Sequence, residues 1–544
     1  MRITWTKEKT IYLVLLSITA FLGYGFLVTH GTVGIDDTPY QYYFDEGLNV
    51  VVGRWVLFLV NRVFSIANYA PFVTDLAGVL ILMVGVSVWI KLFFRICGKH
   101  IPLWAYCLGG CIFLSCPLLA EVYTYHLHNG VSLGYLFSGV SLLFMEEFFD
   151  SENTKKHRMA HITAAVLSLF IAAGCYESFV IVWLVGALLV LLAKRYVGVP
   201  CPVFRRLLLL AGTVIVAIVL RSLMIPALIG VFGLQELRDQ AVQRSITEML
   251  GWMFEADAWP EFAMALKRMY VQYFAFGYVY YPIKIFVWAG ILMATTGIVF
   301  AIVKKDAWIF VLTLGAFVAA FLLVVIEGSA TLYRSAQFLP LICGFGVLLL
   351  GFLVQKLSNR IKLHSVCRGV VVVILGAVLW NQCADLNKWF YMDWLKYESA
   401  KETAGRVYYE LQNEFDTSKP VVFTGVANPP KGIINDAYVT FYSEEYYEIK
   451  RLTDLVDENL LDKYFREYGV WVAQTPSLSV LDWGINAFES GEEMQRFFRM
   501  HGYDYVVNQD REVFAEASEL SMEWPKFPVE GSIQDMGEYI IVHL

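Results

Sequence analysis

Two adjacent carboxylates, Asp36 and Asp37, follow the first long apolar segment of the chain. Neighbouring carboxylates raise each other's pKa, and a carboxylate at the rim of an apolar cavity can act as a general base. We favour Asp37 slightly for this role, because Thr38-Pro39 behind it stiffens its backbone. The alternative is a solvated loop in which the two side chains cap a following helix.

Two further polar segments interrupt the apolar sequence. Glu121, His126, His128 and Asn129 fall within nine residues and could line a polar cavity. A His-x-His pair with Glu is also a weak metal pattern, but two alternate histidines at a membrane interface are more often hydrogen-bonding groups. Glu177 stands between two apolar segments, where an ionisable residue indicates either a functional site or a simple turn.

Arginines and one more acid stand near the ends of later apolar segments. Arg221 lies near one end of such a segment, and Glu327, Tyr333 and Arg334 share a short polar loop. A guanidinium there can bind a phosphate group through two hydrogen bonds, or it can extend toward lipid head groups. We group Arg334, Arg221, Tyr333 and Arg54 as candidate phosphate-binding residues. Glu121, His126, His128, Glu177 and Glu327 are candidate cavity residues.

The composition shows which elements must position these residues. Of 544 residues, 58% are hydrophobic and only 17% are charged, whereas soluble domains are near 45–50% and 25%. The chain is therefore predicted to be a polytopic α-helical membrane protein. About eleven segments are long enough to cross the bilayer: 10–29, 73–95, 102–120, 130–147, 158–174, 176–194, 206–226, 283–303, 307–327, 336–355 and 367–384.

The distribution of basic residues predicts the orientation. One set of alternate connections holds nineteen Lys and Arg residues, whereas the opposite short connections hold three. Because basic loops stay in the cytoplasm, the N-terminus is predicted to be cytoplasmic and the C-terminal tail extracytoplasmic. Shorter stretches at 50–66 and within 227–282 are predicted to be interfacial helices in the outer loops 30–72 and 227–282.

Two units are predicted along the chain. Residues 1–385 form the transmembrane unit, and residues 386–544 form a small extracytoplasmic α/β domain, since helical and strand-like segments alternate there. The net charge of −7 offers no basic surface for nucleic acid. The nine cysteines lie in or beside apolar segments with no zinc-site spacing, so we interpret Cys107, Cys111 and Cys116 as packing residues.

These residues resemble a known family. A first span followed by Asp36-Asp37 and then Gly53-Arg54-Trp55, with a Tyr-Arg-Ser loop before a late span, is similar to the bacterial Gtr-type glucosyl transferases that modify O-antigen. More broadly, the chain resembles the GT-C class of polytopic glycosyltransferases, whose first outer loop carries an essential acidic residue. The resemblance covers residues 1–385 and implies a GT-C-like transmembrane catalytic domain.

The resemblance implies an inverting glycosyltransferase in the bacterial inner membrane. It would move glucose or a similar hexose from a polyprenyl-phosphate-linked donor to a cell-surface polysaccharide or other glycan on the outer side. Expected partners are the lipid bilayer, a flippase and a polyprenyl-phosphate glycosyltransferase of the same pathway. No cofactor is assigned, and a divalent cation stays an open alternative. Other interpretations are a lipid-linked saccharide flippase or transporter, and an O-antigen-type polymerase or ligase.

Overall fold

A computed structural model describes thirteen stretches of the chain. They are 7–32, 47–64, 71–123, 128–149, 154–240, 251–254, 258–274, 284–328, 331, 333–358, 364–425, 491–508 and 510–544.

Ten helices make up the first half of the membrane unit. They are α1 (Lys7–Thr29), α2 (Gly47–Val51), α3 (Trp55–Phe64), α4 (Pro71–Cys97), α5 (Leu103–Leu114), α6 (Leu118–Tyr123), α7 (His128–Phe149), α8 (Lys155–Cys175), α9 (Phe179–Val197) and α10 (Val203–Phe232). The short helices α2 and α3 overlap the stretch 50–66, and neither is long enough to cross a bilayer.

Seven helices complete the membrane unit and lead into the tail. They are α11 (Gln235–Gln240), α12 (Ala258–Phe274), α13 (Lys284–Lys304), α14 (Ala307–Ala320), α15 (Leu322–Glu327), α16 (Leu339–Ser358) and α17 (His364–Glu414). Short 3-10 turns lie at Gly98–His100, Gly251–Phe254 and Tyr333–Ser335.

The prediction of a polytopic helical membrane protein is confirmed, with a difference in the number of unbroken spans. Within the described residues, nine helices are long and apolar enough to cross a membrane. The predicted spans 102–120 and 307–327 are each broken into two shorter helices. The first break falls at Cys116-Pro117, where proline has no N–H to continue the helical hydrogen bonds. The second falls at Phe321, with no proline or glycine beside it.

Buried ion pairs hold the helices together at the end where the sequence predicts the basic connections. Glu146 of α7 pairs with Lys194 of α9 and with Arg206 of α10, the latter at 2.9 Å. Arg195 donates to Asp306, the residue before α14, at 2.6 Å. Paired carboxylates lower the cost of keeping basic groups beside hydrocarbon. The first residues of α8 lie at this end, so the α8–α9 connection lies at the opposite end.

The described part of the tail contains a small mixed sheet. Its strands are β1 (Val421–Thr424), β2 (Ile533–Asp535) and β3 (Ile540–His543), in the order β1-β3-β2. β1 pairs parallel to β3, and β2 pairs antiparallel to it. Helices α18 (Gly491–Met500) and α19 (Arg511–Leu520) complete the described tail. Two tail segments whose sequences favour a helix (453–466) and a strand (470–473) lie outside the described residues.

One helix crosses the predicted boundary between the two units at 385/386. α17 is continuous from His364 to Glu414, so no linker separates the membrane unit from the tail. The change from apolar to polar residues near 385 marks a change of surroundings and not the end of the helix. The two hydrophobic cores meet about ten residues later, because Phe390 packs in the membrane core and Tyr397 packs in the tail core.

Candidate active site

The tight connection between α8 and α9 is the centre of a polar cluster. Only Tyr176, Glu177 and Ser178 lie between the two helices, and they stand at the end opposite to the buried ion pairs. Tyr176 and Ser178 are buried, and the side chain of Glu177 is 42% exposed. A carboxylate in a three-residue turn has little freedom to move away from neighbouring charges.

Arg54 reaches this turn from the segment between α2 and α3. Its Nη2 lies 3.3 Å from Oε1 of Glu177, and its Cζ lies 4.1 Å from the ring centroid of Tyr176. The backbone N–H of Arg54 also donates to the carbonyl of Asn49 at 2.6 Å. An ion pair and a cation–π contact therefore hold the same guanidinium in place.

Arg221 of α10 approaches the cluster from another side. Its Nε donates to the carbonyl of Ala173 at 3.0 Å, which fixes the guanidinium plane. The guanidinium lies against Gly53, whose φ is +88°; a Cβ at Gly53 would stand only 2.1 Å from Nη2 of Arg221. Only glycine allows both this backbone conformation and this close approach.

Two guanidinium groups and one carboxylate thus form what we call the guanidinium cluster: Arg54, Glu177 and Arg221. Burial acts to raise the pKa of Glu177, but the charges of Arg54 and Arg221 and local hydrogen bonds outweigh it and lower that pKa. The carboxylate is therefore ionised at neutral pH, and the three side chains together carry one net positive charge. Such a group attracts an anion.

Buried hydrogen bonds bring the segment before α16 against the same turn. Ser178 Oγ donates to Oε1 of Gln337 at 2.7 Å, and the Tyr135 hydroxyl donates to the carbonyl of Gln337 at 2.6 Å. Arg334 precedes Gln337 by three residues and is half-buried in the 3-10 turn Tyr333–Ser335. The structure therefore connects the segment of Arg334 to the guanidinium cluster through Gln337 and Ser178.

Glu327 lies at the end of α15, beside residues of the long segment 227–282. The ring of Trp252 covers Gly328, where a Cβ would meet Cγ of Trp252 at 2.3 Å. The Thr331 hydroxyl lies 3.9 Å from the sulfur of Met269 on α12. Gly328 and Thr331, which follow Glu327, thus contact residues of the segment 227–282.

The other predicted site residues are described only in part. Asp36, Asp37 and His126 lie outside the described residues. Glu121, His128 and Tyr333 lie in helical segments, but their side chains are not described. The predicted residues that the structure brings into direct contact are Arg54 and Glu177, with Arg221 at the same turn.

Sequence reasoning missed several buried polar residues near this end. Asp75 at the start of α4 and Asp393 on α17 are 5% and 2% exposed, and Asp393 accepts a hydrogen bond from Thr32 at 2.5 Å. Gln337, which precedes an apolar helix, is also buried. Asp75 carried a usable signal, since an ionisable residue inside a predicted span indicates function. Gln337 carried none, because a single polar residue at a span end is ordinary.

In the described part of the chain, no three His, Cys, Asp or Glu side chains come together in a group that could hold a metal ion. The described cysteines are free, and Cys107, Cys111 and Cys116 are buried.

A sequence comparison identifies the family. The model of the family described as Glucosyl transferase GtrII matches residues 25–351, more than half of the chain. The chain belongs to the GtrII glucosyl transferase family. It is therefore a polytopic membrane glycosyltransferase, and the predicted resemblance is confirmed. The match includes Arg54, Glu177, Arg221, Arg334 and Gln337. No curated protein sequence matches the chain.

Solved structures of other glycosyltransferases show a distant likeness. ArnT from Cupriavidus metallidurans in the apo state is 13% identical with a TM-score of 0.35, over 77% of this chain and 83% of that one. The same enzyme bound to undecaprenyl phosphate is 12% identical with a TM-score of 0.33, over 78% and 84%. The oligosaccharyltransferase AglB from Archaeoglobus fulgidus is 11% identical with a TM-score of 0.38. That match covers 77% of this chain and only 63% of AglB.

Proposed function

We propose that this GtrII-family protein is an inverting glycosyltransferase that uses a polyprenyl-phosphate-linked hexose. It transfers the sugar to a cell-surface polysaccharide or other glycan on the outer side of the bacterial inner membrane. The observation that carries the proposal is the guanidinium cluster at the end of the helices opposite to the buried ion pairs. The family match supplies the reaction class.

The donor phosphate is proposed to bind at Arg221 and Arg54, with Arg334 nearby. Arg221 uses its Nε for the Ala173 carbonyl, so both terminal nitrogens can face a phosphate. A guanidinium fork can donate two parallel hydrogen bonds to phosphate oxygens. These charge-assisted bonds strengthen as the leaving phosphate gains charge, which lowers the free energy of the transition state.

The position of the cluster suits a lipid-linked donor. Arg221 lies on a membrane-length helix, whereas Arg54 and Glu177 lie in connections at the ends of helices. A phosphate at this level leaves the polyprenyl chain in hydrocarbon and the sugar in the polar region. Phosphate and tail are thereby bound in different environments.

The general base is proposed to be Asp37 or Asp36. An acceptor hydroxyl attacks the anomeric carbon, the bond from that carbon to the phosphate oxygen breaks, and polyprenyl phosphate leaves with the bonding electrons. The hydroxyl proton passes to the aspartate carboxylate. A single displacement of this kind inverts the anomeric configuration.

The decisive experiment is transfer by purified protein in liposomes. Undecaprenyl-phosphate glucose labelled in the sugar is supplied with acceptor glycan, and free undecaprenyl phosphate and labelled glycan are both measured. We expect equal amounts of the two products and inversion at the anomeric carbon. Movement of the donor across the bilayer without release of undecaprenyl phosphate would instead identify a flippase.

The orientation has its own test. Reporters fused after Lys305 and after Leu544 are expected to be cytoplasmic and extracytoplasmic, respectively, because basic connections stay inside. A cytoplasmic reporter at the C-terminus would place the guanidinium cluster on the inner side and contradict an outer active site.

A further inference from the structure

Two buried amide side chains, Asn129 and Gln337, have hydrogen-bonding groups without a partner among the described residues. Asn129 is 1% exposed, and neither its Oδ1 nor its Nδ2 has a partner among the described residues. Gln337 is fully buried; its Oε1 accepts from Ser178, but its Nε2 has no described partner. Burying unpaired amide groups is costly, so such groups usually have a ligand or water to bind.

The Gln337 side chain and the backbone that follows Asn129 lie at the α8–α9 connection. Ser178, the partner of Gln337, directly follows Glu177 of the guanidinium cluster. Gly130, which follows Asn129, packs so closely on this connection that a Cβ there would lie 3.2 Å from the carbonyl of Cys175. The Tyr135 hydroxyl on the same helix as Asn129 donates to the backbone of Gln337. The start of α7, which carries Asn129, and the Gln337 side chain thus meet at the connection that carries Glu177 of the guanidinium cluster.

The chemistry of these groups separates a sugar from a phosphate. A phosphate oxygen only accepts hydrogen bonds, so Oδ1 of Asn129 would repel it. A sugar hydroxyl both donates and accepts, and an amide with a free oxygen and a free nitrogen can bind two neighbouring hydroxyls at once. Together, Asn129 and Gln337 offer one acceptor and two donor groups beside the cluster.

We infer that Asn129 and Gln337 bind hydroxyl groups of the hexose while the guanidinium cluster holds the phosphate, and so determine which sugar is transferred. This inference rests on the proposed function. It assigns the sugar ring of the donor to the region between α7, the α8–α9 connection and the start of α16.

The test compares two variants with a matched control. Asn129→Leu and Gln337→Leu remove the amides and keep side chains of similar size. Gln382→Leu is the control, because Gln382 on α17 shows the same bonding pattern at another place: its Oε1 accepts from Ser115, and its Nε2 has no described partner. Transfer from undecaprenyl-phosphate glucose and inhibition by bare undecaprenyl phosphate are measured for each.

We expect kcat/KM for the glucose donor to fall about 10- to 100-fold in the two variants, as for loss of one or two hydrogen bonds. The inhibition constant of undecaprenyl phosphate stays unchanged, and Gln382→Leu behaves as the wild type. Donors that each lack one glucose hydroxyl extend the test. Removal of a hydroxyl bound by Asn129 should impair the wild type and have no further effect in Asn129→Leu.

The outcomes separate this inference from the proposed function. Unchanged kcat/KM in both variants, with an active wild type, overturns the inference alone and assigns the amides to buried water. A wild type that neither transfers glucose nor binds undecaprenyl phosphate overturns both. If Asn129→Leu fails to fold, the deoxy-donor series on the wild type decides: equal transfer from every analogue contradicts recognition of the hydroxyls.

Discussion

Replacing Gly53 by alanine should disable the enzyme through Arg221. The added Cβ would stand 2.1 Å from Nη2 and 2.8 Å from Cζ of Arg221. Non-bonded carbon and nitrogen atoms approach to little less than about 3.3 Å, so the guanidinium must shift by roughly 1 Å. Because Arg221 is also fixed at the Ala173 carbonyl, the shift breaks that bond or turns the fork away from the phosphate.

The expected loss of activity follows from the size of the shift. A misplacement of about 1 Å in a group that positions substrate costs on the order of 10²-fold in rate. Alanine at the left-handed φ of Gly53 also costs about 1–2 kcal/mol of folding free energy. Turnover should therefore fall about 100-fold, while a smaller loss of stability is seen as a lower unfolding temperature.

Gly198→Ala separates the two effects. Gly198 has a φ of +80°, similar to the +88° of Gly53, but an added Cβ there meets no atom within 4 Å. This variant carries the backbone strain without displacing a guanidinium, so we expect a similar loss of stability and normal turnover. Transfer assays and thermal unfolding are run on both variants side by side. Equal turnover in Gly53→Ala and Gly198→Ala would refute the role of the Gly53–Arg221 contact.

Three further predictions concern single groups. Arg221→Lys keeps the charge but loses the two-pronged guanidinium, so affinity for undecaprenyl phosphate should fall about 10- to 100-fold. The control is Arg62→Lys, which alters an arginine stacked on aromatic rings of the same unit. This variant should leave the affinity for undecaprenyl phosphate unchanged. Asp36→Asn or Asp37→Asn should lower turnover about 10²–10⁴-fold with donor affinity retained. Normal turnover in both variants would show that another residue is the general base. Burial, with the charge of Lys401, lowers the pKa of His501 from 6.5 to about 4. Between pH 4 and 6.5 this histidine is therefore neutral in the folded tail and protonated in the unfolded tail. The tail should thus lose stability as the pH falls from about 6.5 to 4. Urea unfolding of the tail at several pH values, monitored by proteolysis, measures this dependence. His501→Phe should remove this dependence of the tail's stability on pH.

Much of the membrane unit could be predicted from the sequence, because hydropathy and loop charge are properties of short segments. The individual positions of Glu177 and Arg221 could be singled out in the same way. Their meeting could not, since the contacts of Arg221 with Ala173 and Gly53 join residues that are distant along the chain. The continuity of α17 could not be predicted from the sequence either. A change from apolar to polar residues indicates an aqueous environment but does not show where a helix ends.

The continuity of α17 has a mechanical consequence. Its 51 residues span roughly 75 Å, and the same helix contributes Phe390 to the membrane core and Tyr397 to the tail core. Torsion is therefore transmitted between the two cores. One residue inserted between Phe390 and Tyr397 would rotate the tail by about 100° around the rod, whereas seven would restore its azimuth to within about 20° and raise it by roughly 10 Å. Comparing the two insertions therefore distinguishes a requirement for the rotational orientation of the tail from a requirement for its height above the membrane.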